Sequence, residues 1–184
     1  MSFDADGTAL LVIDVQQGFD DPGWGQRNNP HAEANIARLL AHWRGASRPV
    51  LHAQHHSALP HSSLAPGQPG NDIKPEVSPH ADEPVFGKTV NSALIGTDLE
   101  AHLRRHGIKR LVLVGLTTDH CVSTTARMAA NLGFEVAVVS DASATFERTG
   151  PDGRRYSADD MHATALAGLH GEFASIVDTQ QLLD

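Results

Sequence analysis

The sequence predicts an α/β protein with a three-layer, doubly wound, mostly parallel sheet of about six strands and helices on both faces. Short apolar runs, typical of strands buried on both faces, alternate with amphipathic stretches along the whole chain. The intervening segments are rich in glycine, proline and asparagine, as loops are. Strands joined through helices are parallel, and their crossovers are right-handed. We expect residues 1–184 to form a single domain.

The amino-terminal half provides three of the predicted strands. They are TALLVID (8–14), PVLHAQ (49–54) and EPVFGK (83–88). A helix from His31 places Ile36, Leu39, Leu40 and Trp43 on one stripe. The polar, proline-rich stretch 60–84 predicts a long loop, and loops of that length are usually functional.

The carboxyl-terminal half repeats the alternation. Thr97 is the predicted N-cap of the helix TDLEAHLRRHG, with Glu100 at the capping-box position and Gly107 at its end. The remaining predicted elements are the strand KRLVLVG (109–115), the helix HCVSTTARMAANLG (120–133), the strand FEVAVVSDA (134–142), the loop ERTGPDGRRY (147–156), the helix SADDMHATALAGLHG (157–171), the strand FASIVD (173–178) and the helical turn TQQLL (179–183).

Composition and charge exclude several classes of partner. The formal net charge of −8 argues against nucleic acid and against anionic membrane surfaces, because both require a basic face. No stretch approaches the roughly 20 apolar residues needed to span a bilayer. The first residues lack the basic region of a signal peptide, and the single cysteine suits a reducing compartment, so we expect a cytoplasmic protein.

Nucleotide-binding motifs are absent from the sequence. The first strand runs into DVQQGF without a G-x-G-x-x-G pattern, and no G-x-x-x-x-G-K-[ST] phosphate loop occurs. The fold class alone does not imply NAD or ATP. We therefore expect no cofactor.

Three ionisable residues follow predicted strands. Asp14 ends the first strand, Lys88 ends the third, and Cys121, the single cysteine, follows the strand that ends at Gly115. Each residue could instead have a purely structural role. Asp14 could accept backbone hydrogen bonds, Lys88 could be a solvated surface lysine, and Cys121 could be a buried thiol that packs as a small apolar residue. Parallel strands bring their carboxyl ends to one edge, so together they predict a site for nucleophilic catalysis.

Three segments resemble the isochorismatase-like cysteine hydrolase superfamily: LLVIDVQQGF, GKTVNSALIGTDLEAHL and LVLVGLTTDHCVSTTARMAANLGFEVAVVSDASAT. The similarity runs from about Ala9 to the carboxyl terminus. The resemblance implies the isochorismatase-like hydrolase fold and a catalytic triad of Asp14, Lys88 and Cys121. It also implies a cis peptide at Leu116–Thr117, an oxyanion hole made by the amides of Thr117 and Cys121, and a homo-oligomer (dimer or tetramer).

The chemistry implied by the resemblance is C–N bond hydrolysis of a small amide or ureido substrate through a thioester. Lys88 and a helix amino terminus would favour the Cys121 thiolate, while Asp14 would take the thiol proton and return it to the leaving amine. Superfamily members that hydrolyse the vinyl ether of isochorismate lack this cysteine. Its presence here favours C–N cleavage, and ether hydrolysis is the second interpretation. A thiol redox sensor is less favoured because no resolving cysteine exists. A non-catalytic domain is less favoured because the triad is intact.

Nicotinamidases of the superfamily bind a divalent metal through a D-x-H pattern after the second strand. Here that region reads VLHAQHHSALPHSS, and His55 and Ser57 replace the aspartate and the first histidine. His52, His55, His56 and His61 would suit zinc or nickel. Because the motif is lost, we favour a polar loop without a metal, and a nicotinamidase assignment is disfavoured.

Residues that flank the triad are candidates for substrate binding. Phe19, Trp24 and Asn28 follow the first strand, and Thr118 and His120 adjoin the nucleophile. Loop residues that satisfy their own turns are the alternative for the first three. Arg148, Arg154, Arg155 and Tyr156 of the second loop could meet a carboxylate substrate, a neighbouring subunit or water, and these alternatives stay open.

Overall fold

A computed structural model describes Phe3 and residues 7–184. The strands of the described residues are β1 Thr8–Ile13, β2 Val50–His55, β3 Val85–Lys88, β4 Arg110–Leu116, β5 Glu135–Ala144, β6 Arg148–Thr149, β7 Arg155–Tyr156 and β8 Ser175–Val177. Six of these strands pair in parallel as one sheet, in the order β3-β2-β1-β4-β5-β8. The predicted doubly wound parallel sheet is confirmed. The expectation of no signal peptide concerns residues that lie mostly outside the described ones.

Helices cover both faces of the sheet. They are α1 Ala32–Gly45, α2 Leu99–Arg105, α3 Ser123–Asn131, α4 Ala158–Ala167 and α5 Thr179–Leu183. Short 3₁₀ turns span Gln17–Asp20, Pro22–Trp24, Pro69–Asn71 and Pro75–Val77, and a π-helical turn spans Thr118–Val122. No described helix has the length and apolar character that crossing a membrane requires.

Alternating side chains of the central strands build two hydrophobic cores. Leu10 and Val12 of β1 pack with α1 and α5, whereas Leu11 and Ile13 pack with α2 and α3 on the opposite face. This alternation is the period-two geometry of a strand buried on both sides. The apolar stripe predicted for the first helix, which includes Ile36 and Trp43, is fully buried in the first core.

The strand order reverses between β1 and β4, and this reversal determines where a site can form. From β1 the chain proceeds outward to β2 and β3, then returns to β4 on the other side of β1 and continues to β5 and β8. The loops that leave β1 and β4 therefore diverge and leave a crevice at the carboxyl ends of these strands. Crevices at such switch points are the usual ligand sites of open α/β sheets.

Two helix starts differ from the sequence prediction. Helix α2 begins at Leu99, so Thr97 is not its N-cap; the Thr97 hydroxyl donates to Ala93 O at 2.6 Å and accepts from Leu99 N–H at 3.3 Å. Glu100 forms no capping box and pairs with Arg104 one turn later at 2.8 Å. The helix expected from His120 begins as α-helix only at Ser123, after the π-helical turn.

Gly115 pairs with Ile13 of β1 and lies at a register shift between β4 and β5, and we expect its replacement to be costly. Its φ is +120°, and a Cβ atom there would lie 2.0 Å from Ile13 O. Gly115→Ala should lower the free energy of unfolding by about 3 kcal/mol or more, because overpacking adds to an unfavourable backbone conformation. Gly96→Ala is the matched control: φ is +70° and nothing lies within 4 Å of its Cβ, so about 1 kcal/mol is expected. Urea unfolding measures both, and equal losses would contradict this account.

Candidate active site

Asp14 directly follows β1 at the switch point and lines the crevice. Its backbone has φ +52°, a left-handed conformation that aspartate tolerates better than most residues, and its N–H donates to Ala53 O at 2.9 Å. The side chain is 0% exposed. A buried carboxylate in a sparsely populated backbone conformation is costly unless the surroundings stabilise it, and such residues cluster at functional sites.

Lys88 provides the opposite charge from the end of β3. Its Nζ lies 2.7 Å from Asp14 Oδ2 and donates to Val90 O at 3.1 Å. His55 Nδ1 lies 3.4 Å from the same nitrogen. The Lys88 side chain is 0% exposed, so this is a fully buried ion pair and not a solvated surface lysine. Removing either partner would leave an uncompensated buried charge.

Cys121 completes the cluster from the π-helical turn after β4. Its Sγ lies 3.4 Å from Lys88 Nζ and 3.9 Å from Asn91 Oδ1. The structure thus brings Asp14, Lys88 and Cys121 together from three strand ends that are distant in sequence. Cys121 is mostly buried, but it lines a cavity and is not surrounded only by apolar side chains.

Burial determines the protonation states of this cluster at rest. It raises the pKa of Asp14 to about 6, although the adjacent Lys88 ammonium opposes the change. Burial also raises the pKa of the Cys121 thiol to about 12, and the neighbouring Asp14 carboxylate acts in the same direction. Lys88 favours the thiolate as expected, but burial outweighs its effect on the pKa of Cys121, and removal of the thiol proton by Asp14 stays a prediction. The thiol is neutral until a base removes its proton.

The turn that carries Cys121 is fixed by two side chains of its own. The Asp119 carboxylate accepts from the Thr145 hydroxyl and lies 3.3 Å from Arg148 Nε, and Thr118 Oγ1 lies 2.9 Å from His162 Nδ1. Immediately before the turn, the Leu116–Thr117 peptide bond is cis, at the position that the resemblance indicated. These side-chain contacts connect the turn to Thr145, which follows β5, to β6 and to α4, and so limit its freedom.

A small cavity of about 110 Å³ opens above the sulfur. Phe19 and Trp24 form one wall, with ring centroids 5.0 Å apart. The lining residues are Asp14, Phe19, Trp24, His55, Leu64, Asn91, Thr117, His120 and Cys121. Leu64 and Asn91 were not singled out from the sequence: Asn91 stands only three residues after Lys88, whereas nothing near Leu64 in the sequence indicated a pocket.

Two predicted substrate-binding residues lie outside the lining of this cavity. Asn28 is buried and its side-chain oxygen accepts from Thr145 N–H at 2.8 Å, so it supports the loop backbone. Thr118 is buried and faces His162. Both are occupied by structural contacts, whereas His120 lines the cavity with a side chain that is 54% exposed.

The arginines of the second loop also have partners within the chain. Arg148 pairs with Asp119, and Arg155 lies 2.5 Å from Glu147. The guanidinium of Arg154 lies over the Tyr156 ring, 4.9 Å from its centroid. Strands β6 and β7 pair as a small antiparallel hairpin here. These side chains therefore brace the loop beside the site and do not line the cavity.

The four histidines considered as metal ligands diverge. His52 Nε2 lies 3.0 Å from Glu83 Oε2, His56 Nδ1 lies 3.1 Å from Asn71 Oδ1, and His61 lines a different cavity. Burial, reinforced by the charge of Lys88, lowers the pKa of His55 to about 4, so its imidazole is neutral. Among Phe3 and residues 7–184, no three His, Cys, Asp or Glu side chains are grouped as a metal site would require. The metal centre of nicotinamidases does not fit the residues present.

Comparison with known proteins decides the family. The isochorismatase domain model matches residues 8–181, nearly the whole chain. The chain belongs to the isochorismatase family. Within this family of hydrolases, the chain is 47% identical over 176 residues to the isochorismatase family protein YrdC of Bacillus subtilis strain 168, covering 96% of this chain and 94% of YrdC.

Two further isochorismatase-family comparisons extend the assignment. The crystal structure of a putative hydrolase of the isochorismatase family from Chromobacterium violaceum superposes with a TM-score of 0.96 at 47% identity, over 100% of this chain and 95% of that one. Nicotinamidase 3 of Arabidopsis thaliana is 30% identical over 187 residues, covering 95% of this chain and 86% of its own. The superfamily resemblance drawn from the three segments is confirmed.

Proposed function

We propose that this isochorismatase-family protein is a cysteine hydrolase that cleaves a C–N bond of a small amide, ureido or carbamoyl compound. The observation that carries the proposal is the contact of three chemically distinct groups at one cavity. Asp14 and Lys88 lie 2.7 Å apart, and Lys88 and the Cys121 sulfur lie 3.4 Å apart. An acid–base group, a cation and a nucleophile within bonding reach form the arrangement that covalent catalysis requires.

The proposed reaction begins with a proton transfer. The Cys121 thiol gives its proton to the Asp14 carboxylate as the sulfur attacks the substrate carbonyl, forming a C–S bond and a tetrahedral oxyanion. The backbone N–H groups of Thr117 and Cys121, both cavity-lining residues, donate to that oxyanion. Lys88 compensates negative charge, which passes from the carboxylate to the sulfur and the oxyanion.

Collapse of the intermediate breaks the C–N bond. The leaving nitrogen takes the proton from Asp14 and departs as ammonia or an amine, and a thioester remains on Cys121. Water then gives a proton to Asp14 and adds to the thioester carbonyl, and the acid product leaves while the thiol is restored. One water molecule is consumed, and every group of the enzyme returns to its starting state.

Two observations favour amide over ether substrates. The nucleophile is present, and a vinyl ether carries no carbonyl for a thiolate to attack at the bond that breaks. Nicotinamidase 3, at 30% identity, is named for an amide substrate. His55 and Ser57 stand where the nicotinamidase pattern has an aspartate and a histidine, so the proposal covers the bond class and not nicotinamide itself.

A substrate panel tests the proposal. The purified protein is incubated with primary amides, ureides, carbamoyl amino acids and isochorismate, and released ammonia and cleaved ether are measured. We expect ammonia release from at least one amide or ureide at a kcat/KM of about 10⁴ M⁻¹s⁻¹ or more for the preferred compound. Cleavage of isochorismate without any C–N hydrolysis would overturn the proposal in favour of ether hydrolysis.

A further inference from the structure

A second, larger cavity adjoins the catalytic one. It is an open groove of about 540 Å³ between the turn Pro22–Trp24 and the loop that follows β2. Its floor and walls include the apolar side chains of Trp24, Leu59 and Pro60. Leu59 is 71% exposed, which is unusual for a large aliphatic side chain beside an active site. Exposed apolar surface next to a cavity commonly marks a binding surface.

The two cavities share a wall. Trp24 lines both of them, and the consecutive residues Ser63 and Leu64 line the larger and the smaller cavity respectively. The indole is held in place, because its Nε1 donates to Gly18 O at 2.9 Å and its ring lies 5.5 Å from that of Phe146. A ligand that contacts the catalytic cavity at Trp24 is therefore at the edge of the larger one.

The larger cavity is preformed. Ser57 N–H donates to Leu64 O at 3.0 Å and closes the loop that carries Leu59, while Ser62 N–H donates to Leu59 O at 3.0 Å. Ser63 Oγ donates to Gly18 O at 3.1 Å and attaches the loop to the segment after β1. A preformed apolar surface binds without the entropic cost of ordering a loop.

Size and charge indicate what would occupy it. The catalytic cavity, about 110 Å³, is smaller than the roughly 300–1,000 Å³ typical of ligand sites, whereas the pair of cavities falls within that range. Of the residues that line the larger cavity, only His61 can carry a positive charge, and Asp21 carries a negative one. The lining therefore does not favour a carboxylate or phosphate group, whereas it does favour an uncharged apolar group.

We propose that this cavity, defined by Trp24, Leu59 and Pro60 and here called the Trp24 groove, binds an uncharged alkyl or aryl substituent of the substrate. The inference rests on the proposed function and narrows its substrate class to amides or ureides that carry such a substituent. Remote binding of this kind positions the carbonyl over the nucleophile and contributes to catalysis beyond simple affinity.

Alkylation of the single cysteine tests the groove without knowledge of the substrate. N-methyl and N-hexyl iodoacetamide are compared by intact mass, and each rate is divided by the rate of the same reagent with glutathione. We expect the normalised rate with the hexyl reagent to be about tenfold higher and to saturate with concentration, as burial of about two methylene groups would produce. Equal normalised rates would overturn the inference.

Variants locate the effect. Leu59→Ser, at an exposed position that leaves the fold intact, should reduce the hexyl advantage by about threefold, and Trp24→Ala should nearly remove it. Val85→Ser is the matched control, because Val85 is a 41%-exposed apolar residue on the edge strand β3, outside both cavities. An unchanged ratio in Leu59→Ser, or an equal reduction in Val85→Ser, would contradict the groove.

The outcomes also separate this inference from the proposed function. Ammonia release in the substrate panel together with equal alkylation rates would contradict substrate binding in the Trp24 groove and support the proposed hydrolase function. Faster alkylation by the hexyl reagent, together with a panel in which no C–N bond is cleaved, would support binding in the Trp24 groove and contradict the proposed hydrolase function. A Cys121 thiol that reacts with neither reagent would contradict both.

Discussion

Cys121→Ala is expected to reduce kcat/KM for the preferred amide by about 10⁴-fold or more, as deletion of a covalent nucleophile does. Cys121 carries the only thiol in the cavity lining, so it is the only lining residue that can form the thioester. Ammonia release over several days at high enzyme concentration measures the residual rate. Treatment of the wild-type protein with iodoacetamide should give the same loss.

Two controls make the Cys121→Ala result specific. The thiol-to-methyl change is small, so the melting temperature should stay within about 3 °C of that of the wild type. Isothermal titration should show that the variant still binds the substrate, because the other residues that line the cavity are unchanged. A variant that keeps more than one hundredth of the activity would show that Cys121 is not the nucleophile.

Much of the scaffold follows from the sequence because burial on both faces leaves a clear pattern. TALLVID and KRLVLVG each become a central strand, and the stripe from Ile36 to Trp43 becomes the buried face of α1. The three triad residues could also be proposed, since an acid, a lysine and a thiol at strand ends must share one edge of a parallel sheet. These inferences depend on local patterns and on a topological rule.

The residues that line the cavity could be predicted less well from the sequence. Asn28 appeared as well suited to a substrate as Trp24, yet its side-chain oxygen is taken by Thr145 N–H, a residue 117 positions away. Leu64 reaches the cavity only because Gly18 permits close approach: a Cβ on Gly18 would lie 2.8 Å from Leu64 Cδ2. Contacts between distant loops leave no periodic pattern, so residue type alone cannot rank the candidates.

The protonation of the nucleophile shows the same limit. From the sequence, a lysine and a helix terminus are expected to favour negative charge on the sulfur, and Asp14 is expected to take the thiol proton. In the structure, burial and the Asp14 carboxylate act against ionisation and raise the pKa of Cys121 to about 12. The balance depends on how deeply the three groups are buried together. It makes Asp14, rather than Lys88, the residue on which activation of the thiol depends.

Asp14→Asn is accordingly expected to reduce kcat/KM by about 10²–10⁴-fold, the range for loss of a general base. Asparagine keeps the shape but cannot accept the thiol proton, and it leaves Lys88 without its counter-ion at 2.7 Å. Because loss of a buried partner destabilises by roughly 3–5 kcal/mol, the variant is assayed well below its melting temperature. Activity within fivefold of the wild type would contradict the role of Asp14 as the base.

The pH profile of the wild-type protein tests the same role without a variant. Only the ionised carboxylate can accept a proton, and burial raises the pKa of Asp14 to about 6, two units above its ordinary value of 3.8. The ionised fraction therefore falls about tenfold for each pH unit below 6, so kcat/KM should rise with pH to about 6 and level off above it. The rate of Cys121 alkylation should depend on pH in the same way, because hydrolysis and alkylation both require the proton to leave the sulfur. An alkylation rate that is independent of pH between about 5 and 7 would show that Asp14 does not activate the thiol.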